Sequence, residues 1–478
     1  QNDNLAYNYN RAKLAWYTID PIFYSSQRPE GITDEDISSP FSRRVFRDEI
    51  FPLQDIIQGQ TQALFTLDLA YYPATRGEYN YNPEAAGTNN LPNPEDRFGG
   101  IMRQLTTTDF EQSNVEYIQF WVMDPFIYEE NNGNPGGTIN FNLGSISEDI
   151  LKDGRKQYEN GLPEDGGTAN TIATVWGKVP TNQALVYTFD TEGDKRTNQD
   201  IGYDGLSNSE ESSEYPAFGG LPDPANDDYQ YFLQADGNIL DRYLKYNGTQ
   251  GNSPVEVTNS NRGSTAQPDV EDINRDNTMN TVDSYYEYEV ELFPGMNIDN
   301  NKHITDIKEF TTTLENGQEL PVRWVQFKVP IYEPTRAVGG IGDFRSIRFM
   351  RLYLTQFQDP VVLRFGTMDL VRGDYRRYTQ TLDPDKSDPS LEETLFEVSS
   401  VSIEENENRQ PVPYVLPPGV EREELLNNNT RIRQNEQSLL LRVCDLETQD
   451  ARAVYKNFQV DMRQYKNLEM FIHAESLV

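Results

Sequence analysis

Residues 272–283, with the sequence DINRDNTMNTVD, carry oxygen-bearing side chains at the spacing of a calcium-binding loop. A twelve-residue calcium loop takes oxygen ligands from positions 1, 3, 5, 7, 9 and 12 and turns sharply at position 6. Asn277 stands at position 6, where glycine is usual, and asparagine tolerates a positive φ better than most residues. The spacing therefore predicts a structural calcium site, with an ordinary polar turn as the alternative. The residues at the ligand positions are Asp272, Asn274, Asp276, Thr278, Asn280 and Asp283.

Residues 200–211, DIGYDGLSNSEE, match the same template less completely. Gly205 suits the turn at position 6, whereas Gly202 at position 3 offers no side-chain ligand. Calcium in either loop would neutralise carboxylates in a segment that has little apolar core of its own, so the expected role of the ion is structural. The residues at the remaining ligand positions are Asp200, Asp204, Leu206 through its carbonyl, Asn208 and Glu211.

The sequence carries little of the usual apparatus of catalysis. One cysteine excludes an internal disulfide framework, and two histidines leave little for a zinc site or for histidine-based catalysis. The phosphate-binding loop, the zinc-protease helix and the nucleophile elbow are all missing from the printed sequence. We therefore predict a protein that is not an enzyme. A glycoside hydrolase, which needs two carboxylates facing each other in a cleft, is the third alternative.

Four tryptophans raise the question of a sugar-binding platform. Trp121 and Trp324 lie within apolar, strand-like runs and are expected in the core, while Trp16 and Trp176 are left open. A row of exposed aromatic side chains in a groove would favour a calcium-stabilised carbohydrate-binding or adhesin module, which is the second functional hypothesis.

The chain is strongly acidic. It has 77 acidic and 41 basic side chains, a net charge of −36 and a pI near 4.4. A field of this sign repels phosphate backbones and anionic lipid, so we expect no nucleic-acid partner. It favours calcium and basic partners.

Strand-like runs rich in aromatic and β-branched residues recur along the chain, bounded by Gly, Pro and Asn. In 285–293 apolar and acidic residues alternate, which predicts one buried and one wet face, whereas 117–123 is apolar on both faces. The composition therefore predicts a β-dominated, all-β fold. The runs are 63–72, 115–126, 138–146, 184–190, 285–293, 322–331, 347–357, 361–370 and 438–446.

A repeated pattern suggests how the strands are organised. Arg-x-x-Gly-Gly-Ile, followed by Asp-Phe and an apolar strand, begins at Arg97 and again at Arg336. We interpret the copies as tandem β-sandwich units of the jelly-roll, galactose-binding-like kind, with long acidic loops. The expected divisions are a first unit with an N-terminal extension, an acidic insert with a possible short helix, a second unit, a connector and a truncated third unit, at 1–150, 151–283, 284–380, 381–436 and 437–478.

Four long stretches resemble the SprA/Sov family, the gliding-motility or cell-surface proteins that form the outer-membrane translocon of the type IX secretion system. The stretches are NVEYIQFWVMDPF, QDIGYDGLSN, PDVEDINRDNTMNTVD and GGIGDFRSIRFMRLYLTQF. The resemblance implies a piece of a much larger outer-membrane β-barrel protein. This agrees with ends that look internal, since the chain starts QNDNLAYNYN and stops just after an apolar run.

The resemblance also implies a role and partners. It makes the chain a non-enzymatic structural segment of a protein-export channel at the cell surface, in contact with other translocon subunits and exported cargo. Long acidic loops between the strands, rather than short turns, place this segment mainly in inserts or caps around the pore, on a side that the sequence leaves open. The resemblance transfers no catalytic residues and no metal ligands.

Overall fold

The chain forms two compact units in a computed structural model. Unit 1 comprises Gln1–Val45, Leu64–Ser113 and Ile118–Asp369, and unit 2 comprises Phe46–Ala63, Asn114–Tyr117 and Leu370–Val478. The structure describes residues 4–56, 62–131, 133–159, 170–182, 188–190, 195–196, 198–199, 201–228, 230–246, 268–380, 382, 394–409, 412–427, 430–446, 448 and 450–476.

Strands dominate the described residues, and the helices are short. The α-helices whose bounds lie within the described residues are α1 (Phe110–Ser113), α2 (Asn208–Glu214), α3 (Ile239–Tyr243) and α4 (Ile403–Asn406). None of the helices described here is long and apolar enough to cross a membrane. The strands are β1 (Ala12–Tyr17), β2 (Val45–Phe46), β3 (Ala63–Leu64), β4 (Leu67–Arg76), β5 (Phe98–Gln104), β6 (Val115–Met123), β7 (Gly137–Ser145), β8 (Thr171–Ala173), β9 (Lys178–Pro180), β10 (Ser284–Leu292), β11 (Ile304–Thr313), β12 (Glu319–Pro330), β13 (Arg336–Val338), β14 (Phe349–Thr355), β15 (Val361–Arg372), β16 (Arg376–Arg377), β17 (Leu395–Ser402), β18 (Glu424–Asn427), β19 (Thr430–Arg433), β20 (Gln437–Cys444) and β21 (Val454–Tyr455).

Two antiparallel sheets form the framework of unit 1. One has six strands in the order β1-β4-β15-β6-β12-β11, and the other has five in the order β13-β10-β7-β14-β5. Aromatic side chains join them, since the ring of Phe120 on β6 lies 5.5 Å from that of Phe141 on β7. Phe120 also stacks on Phe327 within its own sheet, with the ring centroids 5.0 Å apart. The β-dominated class is confirmed, whereas the jelly-roll connectivity stays a prediction.

Most of the sequence-predicted strands are present. Each run overlaps a strand except 184–190, most of which lies outside the described residues. All of β6 is buried, as the two-sided apolar pattern predicts. On β10 the alternation also holds, with Glu289 and Glu291 exposed. Glu287 is an exception: it is buried, and its carboxylate pairs with Arg336 at 2.6 Å and accepts hydrogen bonds from Asn142 and Tyr353.

The sheets do not follow the tandem division into 1–150 and 284–380. β7 pairs with both β10 and β14, and β5 pairs with β14, so strands from the two segments alternate within one sheet. This difference has a physical reason. A strand with unpaired backbone groups takes the partner whose apolar face matches, wherever that partner lies in the chain.

The two Arg-x-x-Gly-Gly-Ile motifs adopt different structures. Gly99 and Gly100 lie inside β5, and a Cβ added to Gly99 would lie 3.0 Å from both Leu14 and Tyr71. Gly339 and Gly340 instead have φ of +69° and +78° and form a turn after β13. The two glycines therefore allow close packing in the first copy and a left-handed backbone in the second. The motif does not mark equivalent repeats.

Unit 2 is built from strand pairs. β17 pairs with β20, β18 with β19, and β16 with β21. The predicted connector 381–436 and the predicted third unit 437–478 are thus joined through β17 and β20 rather than being separate. Residues 456–476, which are all described, contain one 3-10 turn and no strand, and Leu468 and Ile472 are exposed.

Candidate metal centre

The acidic insert, residues 151–283, has its own small core in unit 1. Trp176 is buried in it together with aromatic side chains that follow β4 and with residues from around α2. The regular elements described in the insert are α2, α3, β8 and β9, all short. Backbone groups here must therefore find many of their partners among side chains. The buried members of this core are Tyr79, Tyr81, Leu151, Trp176, Leu206, Tyr215, Phe218 and Ala225.

Buried carboxylates take the place of strand partners in this region. Glu271 is 0% exposed and accepts the backbone amides of Ile150, Leu151 and Gln157 at 2.8, 3.0 and 2.9 Å. Glu148 is also buried and accepts the amide of Asn280 at 3.0 Å. Burial raises the pKa of Glu271 well above its usual range, although two of the amides lower it. These acids stabilise irregular backbone that no strand covers.

The first part of loop 272–283 is folded as the template requires. Both carboxylate oxygens of Asp272 accept backbone amides, from Asp276 at 3.1 Å and from Asn277 at 2.8 Å. Asn277 has φ +67°, so the prediction of a left-handed residue at position 6 is confirmed. Asp276 accepts the amide of Thr278 at 2.8 Å. An ionised carboxylate has about four lone-pair positions, so these bonds leave capacity for a cation.

The last two predicted ligands of this loop face another segment. The Asn280 side chain donates to the Ile146 carbonyl at 2.6 Å, and Asp283 accepts the Ser147 amide at 3.0 Å. The ammonium of Lys156 lies 3.9 Å from Asp272. The structure thus brings Asp272, Asn274, Asp276 and Thr278 together and turns the other two ligand residues toward 146–147. Calcium binding at 272–283 stays a prediction.

Loop 200–211 contributes two residues to a compact group of carboxylates. Asp204 and Glu211, both 1% exposed, each place a carboxylate oxygen within 4.8 Å of the other and of an oxygen of Asp227. Gly205 has φ +68°, as expected for position 6. Asn208 donates its side-chain amide to Asp228 at 2.9 Å. Leu206 is buried and donates its backbone amide to Asp204, while Asp200 lies outside the described residues.

Asp227 lies where the sequence template lacks a ligand. Gly202, at position 3 of the loop, has φ +79°, and a Cβ built on it would lie 2.0 Å from Oδ2 of Asp227. The carboxylate of Asp227 therefore occupies the space next to position 3 that a side chain of the loop would otherwise fill. A second group joins Asp227 to Asp223 and Asp228. Sequence reasoning missed all three, although the run DPANDD at 223–228 carries them.

The electrostatics of this group are unfavourable without a counter-charge. Burial, followed by the charge of Glu211, raises the pKa of Asp204 well above its usual range, and burial followed by the Asp204 charge does the same for Asp227. Burial also raises the pKa of Glu211 to about 8. The nearby guanidinium of Arg76 donates to Asn89 at 3.1 Å, and its charge only partly offsets the pKa shift of Glu211.

A cavity adjoins the carboxylates. Its volume is about 470 Å³, and Asp227, Tyr203 and Tyr79 belong to its wall. Trp16 also lines it and is half-buried, whereas Trp121, Trp176 and Trp324 are buried. The core positions expected for Trp121 and Trp324 are confirmed, and the four tryptophans do not form an exposed row.

Fold and site together define a strongly acidic, β-dominated protein whose insert is organised around buried carboxylates. A family model, SprA_N, described as a motility related/secretion protein, matches residues 203–478. The chain belongs to this family, which confirms the resemblance seen in its sequence. Its role is therefore related to motility or secretion, and the matched range includes Asp204, Glu211 and Asp227. No curated protein matches the chain.

Proposed function

We propose that this chain is a non-enzymatic structural segment of the outer-membrane channel through which the type IX secretion system exports proteins. The observation that carries the proposal is the family match over residues 203–478. In this proposal the two sheets of unit 1 form a jelly-roll β-sandwich in an insert or cap of the channel. The partners are other translocon subunits and the exported proteins.

The chemistry of the surface and of the site supports a structural role. The net charge of −36 gives a wall to which acidic cargo adheres poorly. Among the buried carboxylates described above, Glu271 accepts backbone amides, whereas Asp204 and Glu211 lie close to each other.

Site-specific photo-cross-linking in cells tests the proposal. A photoreactive residue replaces exposed Glu289 on the five-stranded sheet or exposed Glu309 on the six-stranded sheet, in the intact parent protein. We expect at least one position to capture cargo while export proceeds, and neither to do so when the cargo lacks its export signal. Normal export together with no cargo captured at either sheet would contradict the proposal.

The contribution of surface charge has its own test. Replacing Glu289, Glu291 and Glu333, all exposed, with Gln reduces the negative charge without changing side-chain length. The matched control replaces the same residues with Asp and keeps the charge. We expect slower export of acidic cargo only in the Gln variant, because its wall repels that cargo less and retains it longer. Equal export rates in both variants would show that the negative surface charge does not affect the export of acidic cargo.

A calcium-stabilised carbohydrate-binding or adhesin module is the second candidate. The carboxylate group around Asp204 favours it, since cation sites often support loops in such modules. The burial of Trp121, Trp176 and Trp324 weighs against it. Binding of the full chain to a glycan array, lost on substitution of half-buried Trp16 in the cavity wall, would favour this candidate over the channel segment.

A further inference from the structure

We propose that Asp204, Glu211 and Asp227 bind a calcium ion inside unit 1. Each of the three side chains offers a carboxylate oxygen, and these oxygens lie within 4.8 Å of one another. Two of the residues come from loop 200–211, while the third comes from a later segment and stands against Gly202. The site is therefore made by tertiary structure, and it does not depend on the proposed role in export.

Unpartnered buried oxygens point to a ligand independently of this grouping. Asp204 is 1% exposed, and its Oδ2 has no hydrogen-bond partner among the described residues. The Oδ2 of Asp227 is buried in the same way and is likewise without a partner within the described part of the chain. A buried acceptor without a donor destabilises the folded state, and an unpaired buried charge does so more strongly. A cation between these oxygens removes both penalties.

The ligand chemistry selects calcium. The donors are carboxylate oxygens, without His or Cys in the group, which suits a hard cation. Calcium accepts six to eight oxygens in adaptable geometry, whereas magnesium requires near-octahedral geometry and retains several waters. Three ionised carboxylates carry more negative charge than one divalent ion neutralises, and the buried Arg76 guanidinium nearby offsets part of the remainder.

The ion would join two parts of the insert that both contact the end of β4 and the segment after it. The amide of Tyr79 donates to the Ala225 carbonyl at 2.8 Å, and the amide of Tyr203 donates to the Tyr79 hydroxyl at 2.8 Å. The side chain of Asn226 donates to the Arg76 carbonyl at 2.6 Å. These contacts flank Asp204 and Asp227 in sequence, so a cation held by the two aspartates stabilises the same junction.

The route to the site is the neighbouring cavity. Asp227 belongs both to the carboxylate group and to the wall of the 470 Å³ cavity. Exchange of the ion therefore does not require the main sheets to open, and we expect chelator to strip the folded chain. Stripping without loss of the far-ultraviolet circular dichroism signal of the sheets is the first observation to make.

Calcium titration of the stripped full chain tests the proposal. We expect one ion per chain at this site and a rise in melting temperature of about 3–5 °C at a calcium concentration 100 times the dissociation constant. Magnesium at the same concentration should give less than half of that rise. Asp227→Asn should weaken calcium binding at least tenfold and abolish the rise. Asp276→Asn probes the other predicted calcium loop, whereas Asp359→Asn, at an exposed aspartate outside both loops, is the matched control and should leave both unchanged.

Stability without calcium separates a cation ligand from a residue that merely packs. At pH 8 the stripped Asp227→Asn variant should melt above the stripped wild type, because the substitution removes a repelling carboxylate. With calcium the order should reverse. If Asp227→Asn does not fold, Glu211→Gln and luminescence of Tb³⁺ excited through Trp176 provide the same comparison. The proposal is overturned if wild type binds no calcium, or if Asp276→Asn abolishes the effect while Asp227→Asn retains it.

Discussion

The two acidic loops of the insert differ in what their carboxylates contact. In 272–283 both oxygens of Asp272 accept backbone amides, and its neighbour Glu271 accepts three more. In 201–228 Asp204 and Asp227 face each other and Glu211, and each has an oxygen without a donor among the described residues. Similar sequence spacing thus leads to carboxylates that accept backbone amides in one loop, and in the other to carboxylates that face one another with unpartnered oxygens, where we propose the cation.

Replacing Glu271 should give the largest loss in the free energy of unfolding. Glu271→Ala leaves three buried amides without an acceptor, so we expect the free energy of unfolding to fall by about 3–5 kcal/mol. Glu271→Gln keeps one acceptor oxygen and should cost less. The measurement is denaturant unfolding together with hydrogen exchange at Ile150, Leu151 and Gln157. Unchanged hydrogen-exchange protection at these amides would show that their hydrogen bonds to Glu271 do not stabilise this region.

The pH dependence of the calcium-free chain should be the next largest effect. Glu211 has its folded-state pKa raised from 4.5 to about 8, so between those values the folded state binds more protons than the unfolded state. The contribution of Glu211 to the free energy of unfolding is then fully present below about pH 4.5. It is lost as the pH rises through 8, which lowers the free energy of unfolding by about 2–4 kcal/mol. The charges that face Glu211 are those of Asp204, Asp223, Asp227, Asp228 and Arg76.

Calcium should remove this loss. Thermal melts from pH 5 to 9, with chelator and with calcium, provide the measurement, because the ion holds the carboxylates in their charged form. If the chelated and calcium-loaded chains lose stability equally between pH 5 and 8, the carboxylate group does not control the pH dependence.

Two glycine substitutions should show a smaller difference. Gly202 and Gly154 have φ of +79° and +73°, but only at Gly202 would an added Cβ approach another atom, 2.0 Å from Oδ2 of Asp227. We expect Gly154→Ala to cost about 1 kcal/mol from backbone strain alone, and Gly202→Ala at least about 2 kcal/mol with weakened calcium binding. Denaturant unfolding and calcium titration of both variants measure this. Equal losses in the free energy of unfolding would mean that the Asp227 side chain can move away from position 202 without an energetic penalty.

The smallest effect is expected at Asp276. This residue is exposed, and its side chain accepts the amide and the hydroxyl of Thr278. Asp276→Asn should change the free energy of unfolding by less than about 0.5 kcal/mol, since solvent replaces the lost interactions. A larger loss that appears only when calcium is present would move the cation site to loop 272–283.

Sequence patterns were most informative where one strand carries its own signal. The alternation of 285–293 and the continuous apolar run 117–123 predict the faces of β10 and β6 correctly, because side chains alternate along a strand whatever its partner is. Glu287 departs from the pattern because its partners come from other strands: the guanidinium of Arg336 forms an ion pair with it, and Asn142 and Tyr353 donate hydrogen bonds to it. The pairing of β7 with β10 and β14 was not predictable from the short motif at Arg97 and Arg336.

The amino-acid sequence by itself determined the β-rich class, the acidic surface, the left-handed turns at Asn277 and Gly205, and two of the three carboxylates in the proposed site. These are local properties, set by side-chain periodicity, charge and backbone conformation. Tertiary structure alone decided which carboxylates meet amides and which meet one another. The reason is that Asp227 reaches Asp204 only after the chain has folded back against Gly202, and burial then makes the choice of neighbour energetically decisive.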